Sequence, residues 1–388
     1  MKIAVVGSGI SGLSAAYYLS KKHHVDLFEK EDHFGGHSHT IDLMFGEKKV
    51  SVDIGFIVFN FQTYPNLIKF FEENKIDIEK SNMSFSVSVD NSNFEYEVVD
   101  NIDTEFLKSK IKDCDGISIR TAKLSGDVIE AANNLKIISR HGVGYDNIDL
   151  EVSKKKDITL AITATANAVA VAEHVMFMIL NISKRGSMYD DTVKSGKFNE
   201  RNKLPKTVEL WNKNILIAGF GRIGQALIKR CLGFEMNVFV FDPFVPKEFI
   251  EKRGGTKVDN LSEASKDMDA MSLHIPLNDE TKNIINYELL KSMKKNCIII
   301  NAARGGIVNE VDLDRALNEN LIFGAGLDVF ETEPPAENNP LLKNKKVFLS
   351  PHTAAFTEEC MTRMGKETIQ NIIDFFDRKL QKSKIVNL

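Results

Sequence analysis

The sequence has few cysteines and no strong excess of charge of either sign. Its four cysteines, Cys114, Cys231, Cys297 and Cys360, are far apart and form no Cys-X-X-Cys pair. This spacing favours reduced thiols in the cytoplasm over a disulfide framework, and we predict no metal site. The formal net charge of −4 and the pI near 6.2 give no electrostatic case for nucleic acid or an anionic membrane as a partner.

Long hydrophobic runs without polar side chains are also lacking. The most apolar stretch, residues 161–180, contains Asn167, Glu173 and His174, which indicates a buried helix rather than a membrane span. Met1 leads directly into an apolar strand with no basic region or cleavage site, so we expect no secretory signal. With 388 residues, 43% of them hydrophobic, the chain is long enough for two or three domains with separate cores.

A strand, a glycine-rich turn, a helix and a second strand that ends in an acid are predicted over residues 214–242. Gly219 allows the tight turn, Gly221 lets a pyrophosphate approach the backbone, and Gly224 lets the helix pack closely on the strand. Asp242 can accept hydrogen bonds from both ribose hydroxyls of NAD, whereas it would repel the 2′-phosphate of NADP. The pattern therefore predicts an NAD site; a turn that serves only packing is the alternative.

A second glycine fingerprint lies at the N-terminus. Gly7, Gly9 and Gly12 follow a short apolar strand, and Glu29 ends the next predicted strand. By the same mechanism these residues predict a second nucleotide site, with the helix N-terminus at the phosphate and the acid at the ribose.

The continuation of this N-terminal fingerprint differs from that of an NAD domain. The stretches Phe34-Gly-Gly-His-Ser-His-Thr40 and Asp53–Asn60 resemble the start of FAD-dependent flavoproteins of the amine-oxidase-like group. This resemblance covers residues 1–96 and implies FAD as a cofactor. Nothing after residue 96 continues the pattern, so we expect a partial FAD-type Rossmann segment that does not retain FAD.

Strands and helices alternate from residue 97 onward. The predicted elements include a strand remnant Val98–Val99, the helix Thr104–Lys112, the strand Gly116–Ile119, the helix Ser125–Asn133, the strand Lys136–Ser139, the long helix Ala168–Lys184 and the C-terminal helix Thr357–Arg378. This alternation predicts an α/β protein with parallel sheets, including a Rossmann-type doubly wound NAD domain.

Three polar residues follow predicted strands downstream of the NAD fingerprint. They are Arg304 in Ala-Ala-Arg-Gly-Gly, Glu333 in Glu-Thr-Glu-Pro and His352 in Ser-Pro-His-Thr. The carboxyl ends of strands in a doubly wound sheet line one crevice, so we predict that the three converge beside a nicotinamide. Singly they could be a surface Arg, a loop Glu and a capping His.

Together these side chains fit the oxidation of a hydroxy acid. An Arg can clamp a carboxylate through two parallel hydrogen bonds, which fixes the carbon that gives up hydride. A His can take the hydroxyl proton as hydride leaves, and a neighbouring Glu orients the imidazole and favours its charged form.

Residues 97–388 resemble the D-2-hydroxyacid dehydrogenase family, and in particular its D-3-phosphoglycerate dehydrogenase branch. The matching stretches are Gly142-Val-Gly-Tyr-Asp-Asn-Ile-Asp149, Val171-Ala-Glu-His174, Gly219–Gly224, Leu273-His-Ile-Pro-Leu277, Asn301-Ala-Ala-Arg-Gly-Gly306, Gly326-Leu-Asp-Val-Phe330 and Pro351-His352. The resemblance implies a catalytic set at Arg304, Glu333 and His352 and a flavodoxin-like substrate domain.

The same resemblance implies the ligand contacts. For NAD they are Gly219, Gly221, Arg222, Ile223, Gly224, Asp242, His274, Pro276, Thr281, Ala302 and Asp328, the last at the nicotinamide carboxamide. For the substrate they are Arg120, Thr121, Gly142, Val143, Gly144 and Asn167. Arg120, Lys123, Arg140 and His141 are candidate basic groups for a phosphate. His174 is expected at a domain interface rather than in catalysis.

On this basis we predict three segments. Residues 1–96 form the FAD-like segment, residues 97–165 with 354–388 the substrate domain, and residues 166–353 the NAD-binding domain. The predicted substrate is a small D-2-hydroxy acid, foremost 3-phosphoglycerate; glyoxylate or hydroxypyruvate reduction stays open. The resemblance also implies a homodimer through residues 168–198 of the NAD domain.

The chain departs from the family at both ends of residues 97–388. The strand and helix with which the family's substrate domain opens are missing before Glu97, so the chain looks like a fusion joined near Tyr96–Val98. One hypothesis is that Ser84–Val89 folds back to pair with Phe94–Val99 and so replaces the missing strand of the sheet. We expect no regulatory C-terminal domain. The competing functions are a flavin-dependent oxidase and a fusion that binds nucleotide without catalysis.

Overall fold

The computed structural model describes residues 1–36, 40–45, 48–53, 64–76, 97–99 and 101–386. Contacts divide the chain into two compact units, Met1–Val99 and Asp100–Leu388. The predicted stretches at residues 37–39 and 54–60 and the proposed pairing of Ser84–Val89 with residues 94–96 lie outside the described residues.

Among its described residues, the first unit contains a βαβ fingerprint and a hairpin. Its elements are β1 (Lys2–Val6), α1 (Ile10–Ser20), β2 (His24–Phe28), β3 (Thr40–Phe45), β4 (Lys48–Asp53) and α2 (Pro65–Glu73). Strands β1 and β2 pair in parallel, and β3 and β4 pair antiparallel. Val6 and Phe28, at the carboxyl ends of β1 and β2, are exposed.

The second unit contains ten strands among its described residues. They are β5 (Gly116–Ile119), β6 (Ile137–Arg140), β7 (Thr159–Ile162), β8 (Asn214–Ala218), β9 (Asn237–Phe241), β10 (Thr256–Val258), β11 (Ala270–Leu273), β12 (Ile298–Asn301), β13 (Gly324–Leu327) and β14 (Val347–Leu349).

The helices of this unit lie between and after those strands. They are α3 (Thr104–Ile111), α4 (Gly126–Ala131), α5 (Leu150–Lys155), α6 (Ala168–Ser183), α7 (Gly186–Lys194), α8 (Arg222–Gly233), α9 (Lys247–Glu251), α10 (Leu261–Ser265), α11 (Tyr287–Ser292), α12 (Glu310–Asn318) and α13 (Glu358–Phe376). Short 3-10 turns cover Phe198–Lys203, Pro340–Lys343 and Lys382–Lys384. Within the described residues, none of the helices combines the length and apolar character that crossing a membrane requires.

The smaller sheet has the order β5-β6-β7, with all strands parallel. The C-terminal helix α13 returns to this sheet, where Ser139 Oγ donates to the carbonyl of Thr368 at 2.8 Å and Asn371 Nδ2 donates to the carbonyl of Ile162 at 3.1 Å. The strand remnant predicted at Val98–Val99 is wrong, because these residues adopt no strand. An apolar pair alone does not specify a strand.

The larger sheet has the order β10-β9-β8-β11-β12-β13-β14, again all parallel. Counted from β8 this is the doubly wound order 3-2-1-4-5-6 with one further strand, so the Rossmann-type α/β prediction is confirmed. Buried apolar clusters cover both faces, as a parallel sheet requires. Both sheets lie in one unit, so the boundary between substrate and NAD domains stays a prediction.

Candidate active site

The glycine turn after β8 has the geometry that a dinucleotide needs. Gly219 has φ +97°, and a Cβ placed there would lie 2.5 Å from the carbonyl oxygen of His274. A Cβ on Gly224 would collide with the carbonyl oxygen of Gly219, which is why the helix approaches the strand so closely. Gly221 is exposed, with open space around the position of a Cβ. The turn thus leaves room for a phosphate at the N-terminus of α8.

Asp242 lies at the end of β9 and faces the same turn. Its Oδ2 accepts a hydrogen bond from the backbone N–H of Phe220 at 2.8 Å, and its Oδ1 accepts one from Phe244 at 2.9 Å. The carboxylate is therefore held in place beside the glycines, with further lone pairs open to ribose hydroxyls.

The N-terminal fingerprint has the same acid-to-turn contact. Glu29 Oε2 accepts hydrogen bonds from the hydroxyl and the backbone N–H of Ser8, at 2.5 and 2.6 Å. Hydrogen bonds lower the pKa of Glu29 to about 2. The bond from the Ser8 hydroxyl has the largest effect, followed by those from the backbone N–H groups of residues 31, 8 and 30. A Cβ on Gly12 would collide with the carbonyl of Gly7, whereas Gly9 has open space.

His352 and Glu333 come together beyond the carboxyl ends of β13 and β14. His352 Nδ1 lies 2.8 Å from Glu333 Oε2, while Glu333 Oε1 accepts a hydrogen bond from the backbone N–H of Phe330 at 3.1 Å. Both side chains are exposed, which leaves Nε2 of the imidazole accessible to a ligand. The carboxylate fixes the orientation of the ring.

Arg304 follows β12 and reaches toward the loop after β6. Its Nε donates to Asp146 Oδ2 at 2.9 Å, and its Nη1 donates to the carbonyl of Ala303 at 2.6 Å. Asn301 Nδ2 in turn donates to the carbonyl of Arg304 at 2.8 Å, which shapes the turn that carries the guanidinium. Arg304 therefore joins the two sheets at the predicted substrate loop.

Asp328, at the end of β13, is 1% exposed and fully engaged by the chain. Its Oδ1 accepts hydrogen bonds from the Ser350 hydroxyl at 2.6 Å and the Thr353 N–H at 2.8 Å, and its Oδ2 accepts one from the Ala354 N–H at 2.8 Å. The residue thus organises the segment around His352. Its predicted contact with a nicotinamide carboxamide stays a prediction.

The loop Gly142–Gly144 lies at the carboxyl end of β6 and has glycine-dependent geometry. Gly142 has φ +135°, and its N–H donates to Thr163 Oγ1 at 2.8 Å. A Cβ on Gly144 would collide with the guanidinium of Arg304, so the glycine lets that side chain reach the loop. Val143 lies between the two glycines and is half-buried.

Basic side chains surround this loop. Arg140 interacts electrostatically with Arg304, Asp146 and Arg120, and its pKa is lowered to about 10, first by burial and then by the charge of Arg304. Burial, followed by the charges of Arg120 and Arg140, also lowers the pKa of His141. Asp146 bonds to Arg304 and interacts with Arg140, so the positive charge around this loop exceeds the negative charge of its one acidic partner. Of the other substrate candidates, Thr121 and Lys123 are exposed beside it.

Three buried polar atoms near these loops have no hydrogen-bond partner within the described part of the chain. They are Arg140 Nε, His141 Nε2 and Asn167 Oδ1. Buried polar atoms are rarely left unsatisfied in native proteins, which indicates that a ligand or water completes them.

The remaining cofactor candidates follow β11 and β12. His274 Nε2 lies 2.9 Å from Ser272 Oγ, and burial lowers the pKa of His274 to about 4. Thr281 Oγ1 donates to the carbonyl of Pro276 at 2.6 Å, which closes the loop after β11. Ala302 follows β12 and is half-buried.

Arg222 and Ile223 open α8 directly after the second glycine of the turn. The Arg222 guanidinium donates to the carbonyl of Ser383 at 3.1 Å, so in this structure it contacts the C-terminal turn. Its predicted contact with the cofactor stays a prediction. Within the described ranges, no three His, Cys, Asp or Glu side chains are grouped so that they could hold a metal ion.

A family model described as D-isomer specific 2-hydroxyacid dehydrogenase, NAD binding domain, matches residues 176–354. The hydroxypyruvate reductase of Thermotoga maritima is 37% identical over 276 residues, which are 70% of this chain and 88% of that protein. The chain belongs to the D-isomer specific 2-hydroxyacid dehydrogenase family. The family resemblance seen in the sequence is thereby confirmed, as is its NAD-binding domain.

Other members of this dehydrogenase family share the same region. The D-3-phosphoglycerate dehydrogenase of Methanocaldococcus jannaschii is 41% identical over 279 residues, 72% of this chain and 53% of that protein. The chain therefore spans about half the length of that relative. The D-lactate dehydrogenase of Aquifex aeolicus, solved with NAD and lactic acid, is 31% identical with a TM-score of 0.66 over 72% of this chain and 89% of its own.

The N-terminal fingerprint has a separate match. A family model of an NAD(P)-binding Rossmann-like domain covers residues 5–73. That match supports a dinucleotide fold for this segment and gives the flavoprotein resemblance only weak support.

Sequence reasoning missed two features of the dehydrogenase site. Asp146 lies inside the matching stretch 142–149, yet no sequence signal tied it to Arg304, which is 158 positions away. Ser350 was likewise assigned no role, although it bridges Asp328 and His174.

Proposed function

We propose that residues 101–386 form an NAD-dependent D-2-hydroxyacid dehydrogenase. The observation that carries the proposal is the 2.8 Å contact between His352 Nδ1 and Glu333 Oε2, beyond the ends of β13 and β14 in a sheet whose glycine turn suits NAD. The arrangement matches the chemistry expected of a hydroxy-acid oxidation, which needs a base, its orienting acid and a carboxylate clamp.

The residues present fit NAD, because Gly221 is open to a phosphate and Asp242 has free lone pairs beside the turn. Bound NAD would supply the hydride acceptor. Arg304 would hold the substrate carboxylate and so orient C2 of the hydroxy acid. His352 would take the C2 hydroxyl proton on Nε2, and Glu333 would stabilise the resulting imidazolium. In the reverse direction His352 returns that proton to the keto oxygen.

The basic groups around the substrate loop favour a substrate with a second anionic group. Arg140, Arg120 and Arg304 interact electrostatically, and Arg140 Nε and His141 Nε2 are buried without a partner in the described structure. A phosphate has several acceptor oxygens and suits such a cluster. We therefore favour 3-phosphoglycerate, oxidised to 3-phosphohydroxypyruvate, a step of serine biosynthesis.

A second candidate substrate class comes from the relatives. The Thermotoga maritima hydroxypyruvate reductase and the Korarchaeum cryptofilum glyoxylate reductase, which is 35% identical, are covered over 88% and 81% of their lengths. Reduction of glyoxylate or hydroxypyruvate by this chain is therefore the alternative, and it needs no phosphate site.

The test measures NADH formation with 3-phosphoglycerate and NADH consumption with glyoxylate and hydroxypyruvate. We expect 3-phosphoglycerate to give the highest kcat/KM and Arg304→Ala to abolish turnover while NADH binding persists. Glu333→Gln keeps a hydrogen-bonding side chain without the charge, and we expect it to lower kcat by about 10²-fold. NADH binding without turnover of any of the three acids would instead favour the nucleotide-binding fusion.

The flavin-oxidase alternative has its own discriminator. Purified protein with flavin absorbance would support it, whereas we expect a colourless protein.

We place the enzyme in the cytoplasm, a proposal supported by the buried thiols of Cys231, Cys297 and Cys360.

We further propose a homodimer through residues 168–198 of the NAD domain, on the face of α6 that adjoins the end of α8. Phe177 and Phe234 are 49% and 43% exposed there, and they border a groove of about 750 Å³. Exposed apolar surface of this kind marks an interaction site. Light scattering should give twice the chain mass, and Phe234→Asp should shift the protein to monomer. A monomeric wild-type protein would contradict the proposal.

A further inference from the structure

His174 lies in the middle of α6, and its imidazole reaches the segment after β14. Its side chain is 17% exposed. Its Nε2 lies 2.9 Å from the hydroxyl of Ser350 and 3.7 Å from Oδ1 of Asp328. The imidazole is thus partly buried and faces a hydroxyl and a carboxylate.

The direction of the two hydrogen bonds at Ser350 follows from its single hydroxyl proton. The bond from Ser350 Oγ to the buried Asp328 carboxylate is 2.6 Å, the length of a charge-assisted O–H···O⁻ contact. Ser350 therefore donates to Asp328 and must accept from His174. His174 thus carries its proton on Nε2. Burial lowers the pKa of His174 despite the opposing charge of Asp328, which favours the neutral ring.

Asp328 also holds the segment that carries His352 in place. Its two oxygens accept the backbone N–H groups of Thr353 and Ala354, each at 2.8 Å. His352 itself has φ +53°, a left-handed conformation that a non-glycine residue keeps only when its surroundings hold it. The hydrogen bonds of Asp328 immediately after His352 provide that restraint.

We propose that His174 is a positioning residue for His352 and acts through Ser350 and Asp328. The Nε2–H of His174 donates to the Ser350 oxygen, so that Ser350 donates its own proton to Asp328. With the Ser350 hydroxyl bound to its Oδ1, Asp328 holds the backbone amides of Thr353 and Ala354 in place. The catalytic part of this inference depends on the function proposed above, whereas the structural part does not.

The alternative is that His174 only fills space on α6, where its ring lies 5.8 Å from that of Phe177. The two accounts differ in what the Nε2 position must do. A space-filling ring can be replaced by an apolar side chain of similar size, whereas a donor to Ser350 can be replaced only by another donor.

The first experiment does not use activity. Nitrogen NMR of the full chain, labelled at the histidine rings, should give the His174 signal of a neutral ring protonated on Nε2; the signal is assigned by its loss in His174→Gln. Hydrogen exchange at the Thr353 and Ala354 amides should speed up in His174→Leu and stay near wild type in His174→Gln. A ring protonated on Nδ1, or unchanged exchange in His174→Leu, would overturn the proposal.

The second experiment measures steady-state kinetics in the same variants. His174→Leu should lower kcat by about 10- to 100-fold, as expected when a reacting group is displaced, with little change in the KM for NAD. His174→Gln should retain most of the kcat, because its amide can donate to Ser350. Equal losses in the two variants would make His174 a packing residue. Absence of turnover in the wild-type chain would contradict the proposed function alone, since the exchange measurement still decides the role of His174.

Discussion

Arg304 donates from Nε to Asp146 at 2.9 Å, so the side chain expected to clamp the substrate is held by an acid from the loop after β6. The guanidinium is 32% exposed and the carboxylate 73%, so the pair contributes at most about 1 kcal/mol to stability. Its effect is geometric, because it places the guanidinium against Gly144, where a Cβ would collide with it.

Arg304→Lys should lower kcat/KM by about 10²-fold, because a lysine cannot form the two parallel hydrogen bonds of a guanidinium to a carboxylate. NADH binding should be unaffected, which titration of protein fluorescence would measure. As a matched control, Arg315→Lys changes an arginine on α12 that pairs with Glu319, outside the proposed site. Similar losses in both variants would mean that Arg304 acts only on stability.

Asp242→Ser should weaken the preference for NAD over NADP by about tenfold or more, because it removes the carboxylate expected to repel the 2′-phosphate. The KM values for the two cofactors measure this ratio. The variant should also loosen the turn, since Asp242 accepts the N–H groups of Phe220 and Phe244. An unchanged cofactor ratio would place the ribose away from Asp242.

Gly219→Ala should destabilise the second unit by about 2 kcal/mol or more and weaken NADH binding. Gly219 has φ +97°, and the added methyl would meet the His274 carbonyl. Gly365→Ala is the control, because Gly365 lies inside α13 with nothing near the position of a Cβ. It should stabilise the fold by about 0.5–1 kcal/mol. Urea unfolding followed by circular dichroism measures both changes.

The stability of the second unit should fall as the pH drops from about 6.5 toward 4. Burial lowers the pKa of His274 to about 4 from its ordinary 6.5, so the unfolded chain binds a proton in this interval that the folded chain does not. The share of His274 is on the order of 2 kcal/mol, less than the full shift implies because the residue is partly exposed.

His274→Gln removes the titrating group while it keeps a side chain that can bond to Ser272. Urea unfolding at several pH values should show a flatter pH dependence for this variant over the same interval. The lowered pKa values of His141 and His174 leave part of the dependence in place. An identical slope in wild type and variant would contradict the lowered pKa of His274 in the folded chain.

The sequence by itself determined the elements whose physics is local. The spacing of Gly219, Gly221 and Gly224 predicted a turn whose steric needs involve only neighbouring backbone. The sequence likewise predicted a helix over Ala168–Lys184, and α6 covers Ala168–Ser183, one residue less at its end. The short strand β10 was missed, because Thr256–Val258 has too few residues to give a periodic signal.

The tertiary structure alone decided which side chains share the site and which hold others in place. His352 and Glu333 were predicted as neighbours only because parallel strands end at one edge, whereas Arg304–Asp146 and His174–Ser350–Asp328 join residues 158 and 176 positions apart. Such contacts depend on how α6 packs and how one sheet's loops meet those of the other. A hydrogen bond between distant segments produces no periodic pattern in a single sequence, so it can be recognised only in the folded structure.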